Sequence, residues 1–283
     1  MKKNYYLFVA LLAGVIFFTQ CKKETLVEKT TISGIIVNSQ NGLGLTNATI
    51  SFCKPFDHGL TATPEVVFVV TTNSTGQYTT DQAIVGTYTI MIQAVNFFTL
   101  YIDNFVVATG LGSTFDPITL VQTLSGAVLR IVLTWGETPS DLDSHLTGPT
   151  ADPLTRFHVY FSVDSYNPAN ATTPIVNLDV DNTTNFGPET TTINIWQVGT
   201  YRYSIFNYSD QSSSGGAGIK SSPAAVKVYG TTGLLKSYSP PTFPASGGNT
   251  WVVFEITVTD NTYTITDKNT WINSTNSGAV TKK

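Results

Sequence analysis

The sequence predicts an all-β protein with two β-sandwich domains in tandem behind an N-terminal signal segment. Short stretches of alternating apolar and polar residues are separated by turns that draw on the 22 glycines and 13 prolines of the chain. No stretch of useful length repeats its apolar residues with the helical period of about 3.6 residues. Aromatic residues make up 12% of the chain, which suits strands and is too many for a disordered protein. With 283 residues, the chain can build two domains, each with its own core.

The N-terminus has the pattern of an export signal. Lys2 and Lys3 precede an almost unbroken apolar stretch over residues 5–18. This length fits a secretory signal core of roughly 7–15 residues and is short for a membrane-spanning helix of about 20. Cys21 follows closely and resembles the lipobox cysteine of bacterial lipoproteins, although Gln20 stands where Gly, Ala or Ser is usual.

This resemblance implies a lipoprotein signal peptide over residues 1–20, acylation of Cys21 and a tether over residues 21–30. It also implies a bacterial cell-envelope protein that is held to a membrane by its lipid anchor. The outer membrane is favoured, with the domains either in the periplasm or at the cell surface.

The first predicted domain covers residues 31–122. Turn sequences such as Asn41-Gly42 and Asn73-Ser74 bound its segments. Its predicted strands are 31–37, 48–52, 66–71, 77–79, 86–92 and 115–120. Short strands at this spacing describe a β-sandwich.

The motifs of this domain resemble those of the carboxypeptidase regulatory-like (transthyretin-like) family. The resemblance spans about residues 30–121 and rests on Ile32-Ser33-Gly34-x-Ile36-Val37, Ala48-Thr49-Ile50, Thr72-Asn73-x-x-Gly76-x-Tyr78 and Val85-Gly86-Thr87-Tyr88-Thr89-Ile90. It implies a sandwich that is either a non-catalytic spacer or a module for binding carbohydrate or protein.

The second predicted domain covers residues 123–272, and a polar, frayed tail follows over residues 273–283. Its predicted strands are 127–135, 142–146, 157–162, 175–179, 191–195, 199–207, 224–229 and 251–258. Turns rich in Gly, Pro or Ser separate nearly all of them, so this half is also predicted to be a sandwich.

This second half resembles the YfaP-like bacterial family, over about residues 125–270. The residues that carry the resemblance are Leu133-Thr134-Trp135, Asp141-Leu142-Asp143-Ser144-His145-Leu146, Gly148-Pro149, Phe157-His158-Val159-Tyr160, Leu178-Asp179-x-Asp181 and Phe186-Gly187-Pro188-Glu189-Thr190. The family supplies a label but no activity that could be transferred.

The densest polar motif in the chain is Asp141-x-Asp143-x-His145. In an extended strand, the period of two places these three side chains on one face and Leu142 and Leu146 on the other. Converging carboxylates with few Lys or Arg residues nearby favour a cation site.

Asp179-x-Asp181 has the same spacing, and His158 and Glu189 are weaker candidate ligands. Oxygen ligands favour Ca²⁺, whereas coordination by histidine would favour Mn²⁺ or Zn²⁺. The spacing is not that of an EF-hand, because its Gly and distal Glu are missing.

Two other interpretations of these residues stay open. Asp side chains in turns also hydrogen-bond to backbone groups, so the motif could be a structural corner without a ligand. A hydrolase could use Asp143 and Asp181 as paired carboxylates. The sequence contains no His-Glu-x-x-His, Gly-x-Ser-x-Gly or Walker-type loop, so we expect no enzyme and no catalytic residues.

Aromatic side chains are the other candidates for binding. On the strand over residues 199–207, Tyr201, Tyr203 and Ile205 share one face, which predicts core positions. Phe206 and Tyr208 lie out of phase with them and are the predicted ligand-binding aromatics.

Charge and cysteine content exclude some partners. The net charge is −4 and no basic run is present, which argues against a nucleic-acid partner. If Cys21 is acylated, Cys53 is the one remaining thiol, and its apolar surroundings predict a buried, inert side chain.

Together these features predict an envelope-anchored, non-enzymatic binding or adhesion lipoprotein with a cation site on its second domain. Its expected partners are a membrane, through the lipid anchor, and a carbohydrate or protein ligand. The alternatives are a structural envelope component without a ligand and the hydrolase described above.

Overall fold

The computed structural model describes residues 27–59, 63–110, 112–169, 171–210, 217–260 and 262–274. The predicted signal peptide, Cys21, most of the tether and most of the C-terminal tail lie outside these residues. The described chain is all-β, with nineteen strands in four sheets and one short 3₁₀-helix. This confirms the predicted fold class. No helix in the described ranges is long and apolar enough to cross a membrane.

Eight strands build the two sheets of the first sandwich. They are β1 (Lys29–Asn38), β2 (Thr49–Cys53), β3 (Val66–Thr71), β4 (Gln77–Ile84), β5 (Gly86–Gln93), β6 (Leu100–Val107), β7 (Ser113–Thr114) and β8 (Ile118–Leu120). One sheet has the order β4-β1-β7, with β8 also paired to β1, and the other has the order β3-β2-β5-β6. The sequence did not predict β6, whose alternation is broken by Asp103 and by Asn104 with its positive φ of 56°.

Eleven strands build the second sandwich. They are β9 (Leu129–Thr134), β10 (Asp143–Pro149), β11 (Arg156–Val159), β12 (Ser165–Tyr166), β13 (Val176–Val180), β14 (Glu189–Ile193), β15 (Gly199–Phe206), β16 (Ala225–Gly230), β17 (Gly233–Tyr238), β18 (Thr250–Thr259) and β19 (Thr262–Ile272). The sheets have the orders β11-β10-β15-β18-β19 and β12-β13-β14-β9-β16-β17, and the 3₁₀-helix spans Ala217–Ser221.

Three strands of the second sandwich were not predicted: β12, β17 and β19. The longest of these, β19, lies at the edge of its sheet and is exposed along most of its length. Its first residues alternate Thr with Tyr263 and Ile265, but the polar run Asp267-Lys268-Asn269 then interrupts the alternation and shortens the strand signal.

Each sandwich has its own apolar core. The first is built around Phe52, Tyr78 and Tyr88, and the second around Trp251 and Phe254. The predicted core positions Tyr201, Tyr203 and Ile205 are fully buried. Cys53 is a free, fully buried thiol, as predicted.

The outer face of the β14-β9-β16 sheet packs against the first sandwich. The hydroxyl of Thr190 donates to the carbonyl of Ser39 at 2.5 Å. The rings of Phe98 and Tyr229 stack with their centroids 5.7 Å apart. One sheet of the second sandwich is therefore covered on both faces over β14, β9 and β16.

Candidate metal centre

A small pocket opens beside the first residues of β10. It is lined by Asp141, Asp143, Phe161, Asp181, Thr183 and Tyr208, has a volume of about 120 Å³, and has Glu189 close to Asp141 and Asp143. We refer to these seven residues as the acidic pocket.

Asp143 is the first residue of β10, and Asp141 lies two residues before it. The backbone N–H of Asp141 donates to the hydroxyl oxygen of Ser209 at 3.2 Å, and the carbonyl of Asp141 accepts the N–H of Ser209 at 3.4 Å. Asp143 pairs with Phe206 of β15. These contacts fix the backbone that carries the two carboxylates.

Glu189 reaches the same place from the other sheet. As the first residue of β14, it pairs with Leu133 of β9 and shares the core-facing side with Ile193. Strand β11 pairs with β10 only as far as Leu146. The N–H of Ser144 instead donates to Glu189 Oε2 at 2.7 Å.

The turn before Glu189 requires a glycine. Gly187 has a φ of +74°, and a Cβ on this residue would lie 2.8 Å from the ring of Trp135. A larger residue would be strained in its backbone and would also collide with the indole. Gly187 therefore helps to hold Glu189 in its inward position.

The three carboxylates of this pocket are buried and incompletely bonded. Asp141, Asp143 and Glu189 are 8%, 3% and 1% exposed, and each offers a ligand atom within 4.8 Å of the others. Asp141 Oδ1, Asp143 Oδ2 and Glu189 Oε1 are buried without a hydrogen-bond partner. Buried charges without compensation are costly, so this arrangement calls for a proton or a cation.

Burial and mutual repulsion raise the pKa values of these carboxyl groups. Burial, followed by the charge of Asp181, raises the pKa of Asp141 to about 6. Burial, followed by the charges of Asp141 and Asp181, raises the pKa of Asp143 to about 7. Burial also raises the pKa of Glu189 well above its usual range, although the hydrogen bond from Ser144 opposes the shift.

The two predicted histidine ligands pair with each other beside this group. His145 Nδ1 lies 2.8 Å from His158 Nε2, and the ring of Tyr160 stacks on His158 at a centroid distance of 4.0 Å. Burial, followed by the charge of His158, lowers the pKa of His145 to about 3, and burial lowers that of His158 to about 4. Both rings are therefore neutral at physiological pH, and neither belongs to the carboxylate group that could share an ion.

Asp179 lies apart from the acidic pocket, although Asp181 lines it. The hydroxyl of Thr192 donates to Asp179 Oδ2 at 2.5 Å, and the nearby charge of Arg130 opposes the rise in pKa that burial causes at Asp179. Arg130 in turn donates to the carbonyl of Gln122 at 2.8 Å. Asp179 thus belongs to a network at the junction of the two sandwiches, because a bulge after Leu178 breaks the alternation that would have placed it beside Asp181.

The two predicted binding aromatics have different environments. Phe206 is 3% exposed and packs edge-on against His145, so its ring is enclosed. Tyr208 is 50% exposed and lines the acidic pocket.

Sequence reasoning missed Phe161 and ranked Glu189 too low. The sequence pattern predicts Phe161 within a strand, whereas β11 ends at Val159 and a tight turn follows. We find no sequence signal that distinguishes this turn. Glu189 could have been found, because it is in phase with the core residue Ile193 and a core-facing carboxylate needs a partner.

Comparisons with known proteins assign no family to this chain. No protein-family model and no curated protein matches it. Solved structures with distant likeness include a cohesin–X-dockerin complex from Acetivibrio cellulolyticus, with 21% identity over 35% of this chain and a TM-score of 0.24. That match spans 66% of the other chain, just under two thirds of its length.

Two further likenesses cover more of this chain. A carbohydrate-binding candidate from Bacteroides uniformis has 14% identity over 62% of this chain and 88% of its own, with a TM-score of 0.26. BcpA, the major pilin subunit of Bacillus cereus, has 8% identity over 75% of this chain and 67% of its own, with a TM-score of 0.29. These are distant matches among β-sandwich proteins.

Proposed function

We propose that this protein is a non-enzymatic binding or adhesion lipoprotein of the bacterial envelope whose second domain binds a divalent cation in the acidic pocket. The observation that carries the cation site is the convergence of Asp141, Asp143 and Glu189. Asp143 and Glu189 begin strands of two different sheets, and Asp141 lies two residues before β10. One ligand atom from each carboxylate lies within 4.8 Å of the others, and each carboxylate keeps one buried oxygen without a hydrogen bond.

Calcium is the ion that this ligand set favours. The converging ligand atoms are all carboxylate oxygens, and Ca²⁺ takes about 6–8 oxygen ligands in a tolerant geometry. The histidines that would have favoured Zn²⁺ or Mn²⁺ hydrogen-bond to each other through His145 Nδ1 and His158 Nε2 and are not in the group of converging ligand atoms. A bound ion would link the N-terminal end of β10 to the N-terminal end of β14 and so join the two sheets of the sandwich.

The envelope location rests on the sequence. A basic start, a short apolar core and Cys21 favour a lipid anchor. Two or three acyl chains, each stabilising by about 0.8 kcal/mol per buried CH₂, would hold the protein firmly to a membrane. The motif resemblances to the transthyretin-like and YfaP-like families add support for tandem binding or spacer modules in such a protein.

The proposal is tested by metal analysis and melting curves of the purified full chain. We expect about one calcium per chain, lost to chelator together with stability. At calcium about 100-fold above Kd, the melting temperature should rise by roughly 5–10 °C over the chelated protein. No bound metal and no calcium-dependent shift would leave the pocket as a structural corner.

A matched pair of variants assigns the effect to the pocket. Asp143→Asn removes a buried pocket carboxylate, and Asp164→Asn removes an exposed one on the nearby hairpin. The calcium shift should disappear in the first variant and persist in the second. Equal shifts in both variants would place the cation elsewhere.

A hydrolase is the second candidate, since Asp143, with a pKa raised to about 7, shares a pocket with Asp181. Acid–base catalysis by carboxyl pairs uses such shifts. The pocket of about 120 Å³ is, however, too small to enclose a substrate as ordinary small-molecule sites of roughly 300–1,000 Å³ do, although a ligand can still rest against its mouth. Hydrolysis of chromogenic glycosides that is abolished by both Asp143→Asn and Asp181→Asn would establish this alternative.

A further inference from the structure

Two exposed aromatic rings stand at the mouth of the acidic pocket. Phe161 is 48% exposed and Tyr208 is 50% exposed, and their ring centroids are 6.3 Å apart with a tilt of 59°. Single exposed aromatics are common on protein surfaces. Two rings that line the same pocket as buried carboxylates form an apolar rim around a polar floor.

The ring of Phe161 is held in place by a tight turn. Tyr160 and Val163 exchange both backbone hydrogen bonds, at 3.0 and 2.9 Å, so that Phe161 and Ser162 form a two-residue hairpin loop. Tyr160 is anchored on His158 and meets Phe161 edge-on at 5.1 Å. The ring is therefore positioned before any ligand arrives, which lowers the entropic cost of binding.

Tyr208 is tied to the floor of the pocket through its neighbour Ser209. The N–H of Ser209 donates to the carbonyl of Asp141, and its hydroxyl accepts the N–H of Asp141 at 3.2 Å. The distance between this ring and the buried carboxylates is thus set by short backbone links.

The floor leaves coordination positions for a ligand. Asp141, Asp143 and Glu189 approach an ion from the buried side, and the exposed Asp181 lies on the open side. Asp141, Asp143 and Glu189 each contribute one converging ligand atom, and even with one more from Asp181 these atoms do not fill the 6–8 positions that Ca²⁺ usually takes. Water or ligand oxygens would complete the shell at the pocket mouth.

The charge balance favours a neutral ligand. Four carboxyl groups, those of Asp141, Asp143, Asp181 and Glu189, surround a site for one divalent ion, and no Lys or Arg is among the residues that line the pocket. Residual negative charge at the mouth would repel carboxylates and phosphates. Neutral hydroxyl oxygens carry no such penalty.

We propose that the cation of the acidic pocket binds a pair of neighbouring hydroxyl groups of a neutral sugar while Phe161 and Tyr208 pack against the apolar face of the sugar ring. This inference rests on the cation site proposed above and adds its ligand class. Sugar rings present polar edges and apolar C–H faces, which match the polar floor and the aromatic rim of this pocket.

The test uses the calcium-loaded full chain and the methyl glycosides of mannose, galactose, glucose and fucose as probes, each of which carries neighbouring hydroxyls. Saturation-transfer NMR detects weak binding of such small molecules. We expect at least one glycoside to give signals that vanish on chelation and that are lost when one of its paired hydroxyls is removed.

Variants of the two rings separate the sugar site from the metal site. Phe161→Ala and Tyr208→Ala should weaken sugar binding about fivefold to tenfold, whereas a calcium-induced rise in melting temperature should persist because neither ring is among the converging ligand groups. Tyr263→Ala is the control, because Tyr263 is a 37% exposed aromatic on β19, outside the pocket, and its removal should leave sugar binding intact.

The outcomes distinguish this inference from the proposed function. Absence of a calcium shift in the unaltered protein overturns both. A calcium shift without calcium-dependent signals from any of the four glycosides overturns the sugar site alone. Sugar binding that survives chelation or the loss of both rings also contradicts it.

Discussion

Asp143 is the residue at which burial and like charge act most clearly together. It is 3% exposed and has the charges of Asp141 and Asp181 nearby, and these influences raise its pKa to about 7. A metal-free folded protein must either protonate this carboxyl or tolerate its repulsion. A bound cation would replace the repulsion between these carboxylates by attraction, because one oxygen from each of Asp141, Asp143 and Glu189 would then be its ligand.

Replacement of Asp143 should therefore have opposite effects with and without metal. At pH 8, chelated Asp143→Asn should be as stable as the unaltered protein or more stable, by on the order of 1 kcal/mol, because a repulsive charge is removed. In saturating calcium the variant should be the less stable protein, since a ligand is lost. Urea melts in both conditions measure this reversal, and a variant that is equally destabilised in both would contradict it.

Protons and calcium should compete for the same carboxyl groups. The pKa values of about 6 for Asp141 and about 7 for Asp143 are raised above their ordinary range. The stabilising effect of their protonation is present at low pH and is lost as pH rises through these values. Calcium replaces the protons, so the calcium-induced rise in melting temperature should be largest near pH 8 and small at pH 5.

The two buried histidines also make the stability depend on pH, so the test compares melting temperatures with and without calcium at each pH. His145 and His158 have pKa values lowered to about 3 and about 4. Their contribution to stability is present above their ordinary pKa near 6.5 and is lost as pH falls toward these lower values. Comparing melts with and without calcium at each pH cancels this effect. A calcium shift that is independent of pH from 5 to 8 would rule out competition at these carboxyl groups.

At the level of elements, the turn between β13 and β14 sets the position of Glu189. Asn182 Nδ2 donates to the carbonyl of Gly187 at 2.6 Å, and Gly187 lies against Trp135. The turn therefore connects the indole of Trp135, which follows β9, to the carboxylate of Glu189, which faces the partner sheet. A substitution in this turn should therefore weaken the proposed metal site without replacing any of its ligands.

Gly187→Ala should weaken both folding and calcium binding. Gly126 is the matched control, because it has a similar φ of +79° and no atom within 4 Å of the position that a Cβ would take, whereas a Cβ on Gly187 would meet the Trp135 ring at 2.8 Å. Gly126→Ala should cost about 1 kcal/mol from backbone strain, and Gly187→Ala at least about 1 kcal/mol more. Calcium titrations should show weaker binding only in Gly187→Ala, and equal affinities would show that the turn does not position Glu189.

The sequence was informative about buried strands and less so about exposed ones. The alternation of Tyr201, Tyr203 and Ile205 predicted a core face because burial selects side chains on that face alone. The edge strand β19 escaped prediction because its Tyr263–Ile265 alternation is interrupted by the polar run Asp267-Lys268-Asn269. For the candidate site, the Asp141-x-Asp143 spacing identified two of the pocket residues. Strand register and bulges decided which of the other candidate ligands lie beside them. The bulge at Leu178 separates Asp179 from Asp181, and the contact of Glu189 with β10 crosses between sheets, which no local pattern encodes.

On the scale of the whole molecule, the two sandwiches are joined by a buried polar and aromatic junction. Arg130, 3% exposed, bonds to Thr192 and to the carbonyl of Gln122. The acidic pocket and this junction lie on opposite faces of β14, because Glu189 faces the pocket whereas its neighbour Thr190 donates to the carbonyl of Ser39 in the first sandwich. The proposed cation site and the proposed lipid anchor at Cys21 depend on different residues, so each can be tested without the other.

Cys21→Ser should release the protein from membranes without altering the calcium site. Acylation needs the thiol of this cysteine, and the signal sequence alone gives no lasting anchor after cleavage. Fractionation of cells should move the variant from the membrane to the soluble fraction. Continued membrane retention of Cys21→Ser would end the lipoprotein proposal while leaving the metal proposal intact.

The location of the ion is the most direct test of the cation site. Crystals of the protein grown with saturating calcium should give an anomalous peak between the carboxyl groups of Asp141, Asp143 and Glu189, with calcium–oxygen distances of about 2.3–2.6 Å. An anomalous map without a peak at these three carboxylates, at calcium concentrations that saturate any stabilising effect, would contradict the proposed cation site.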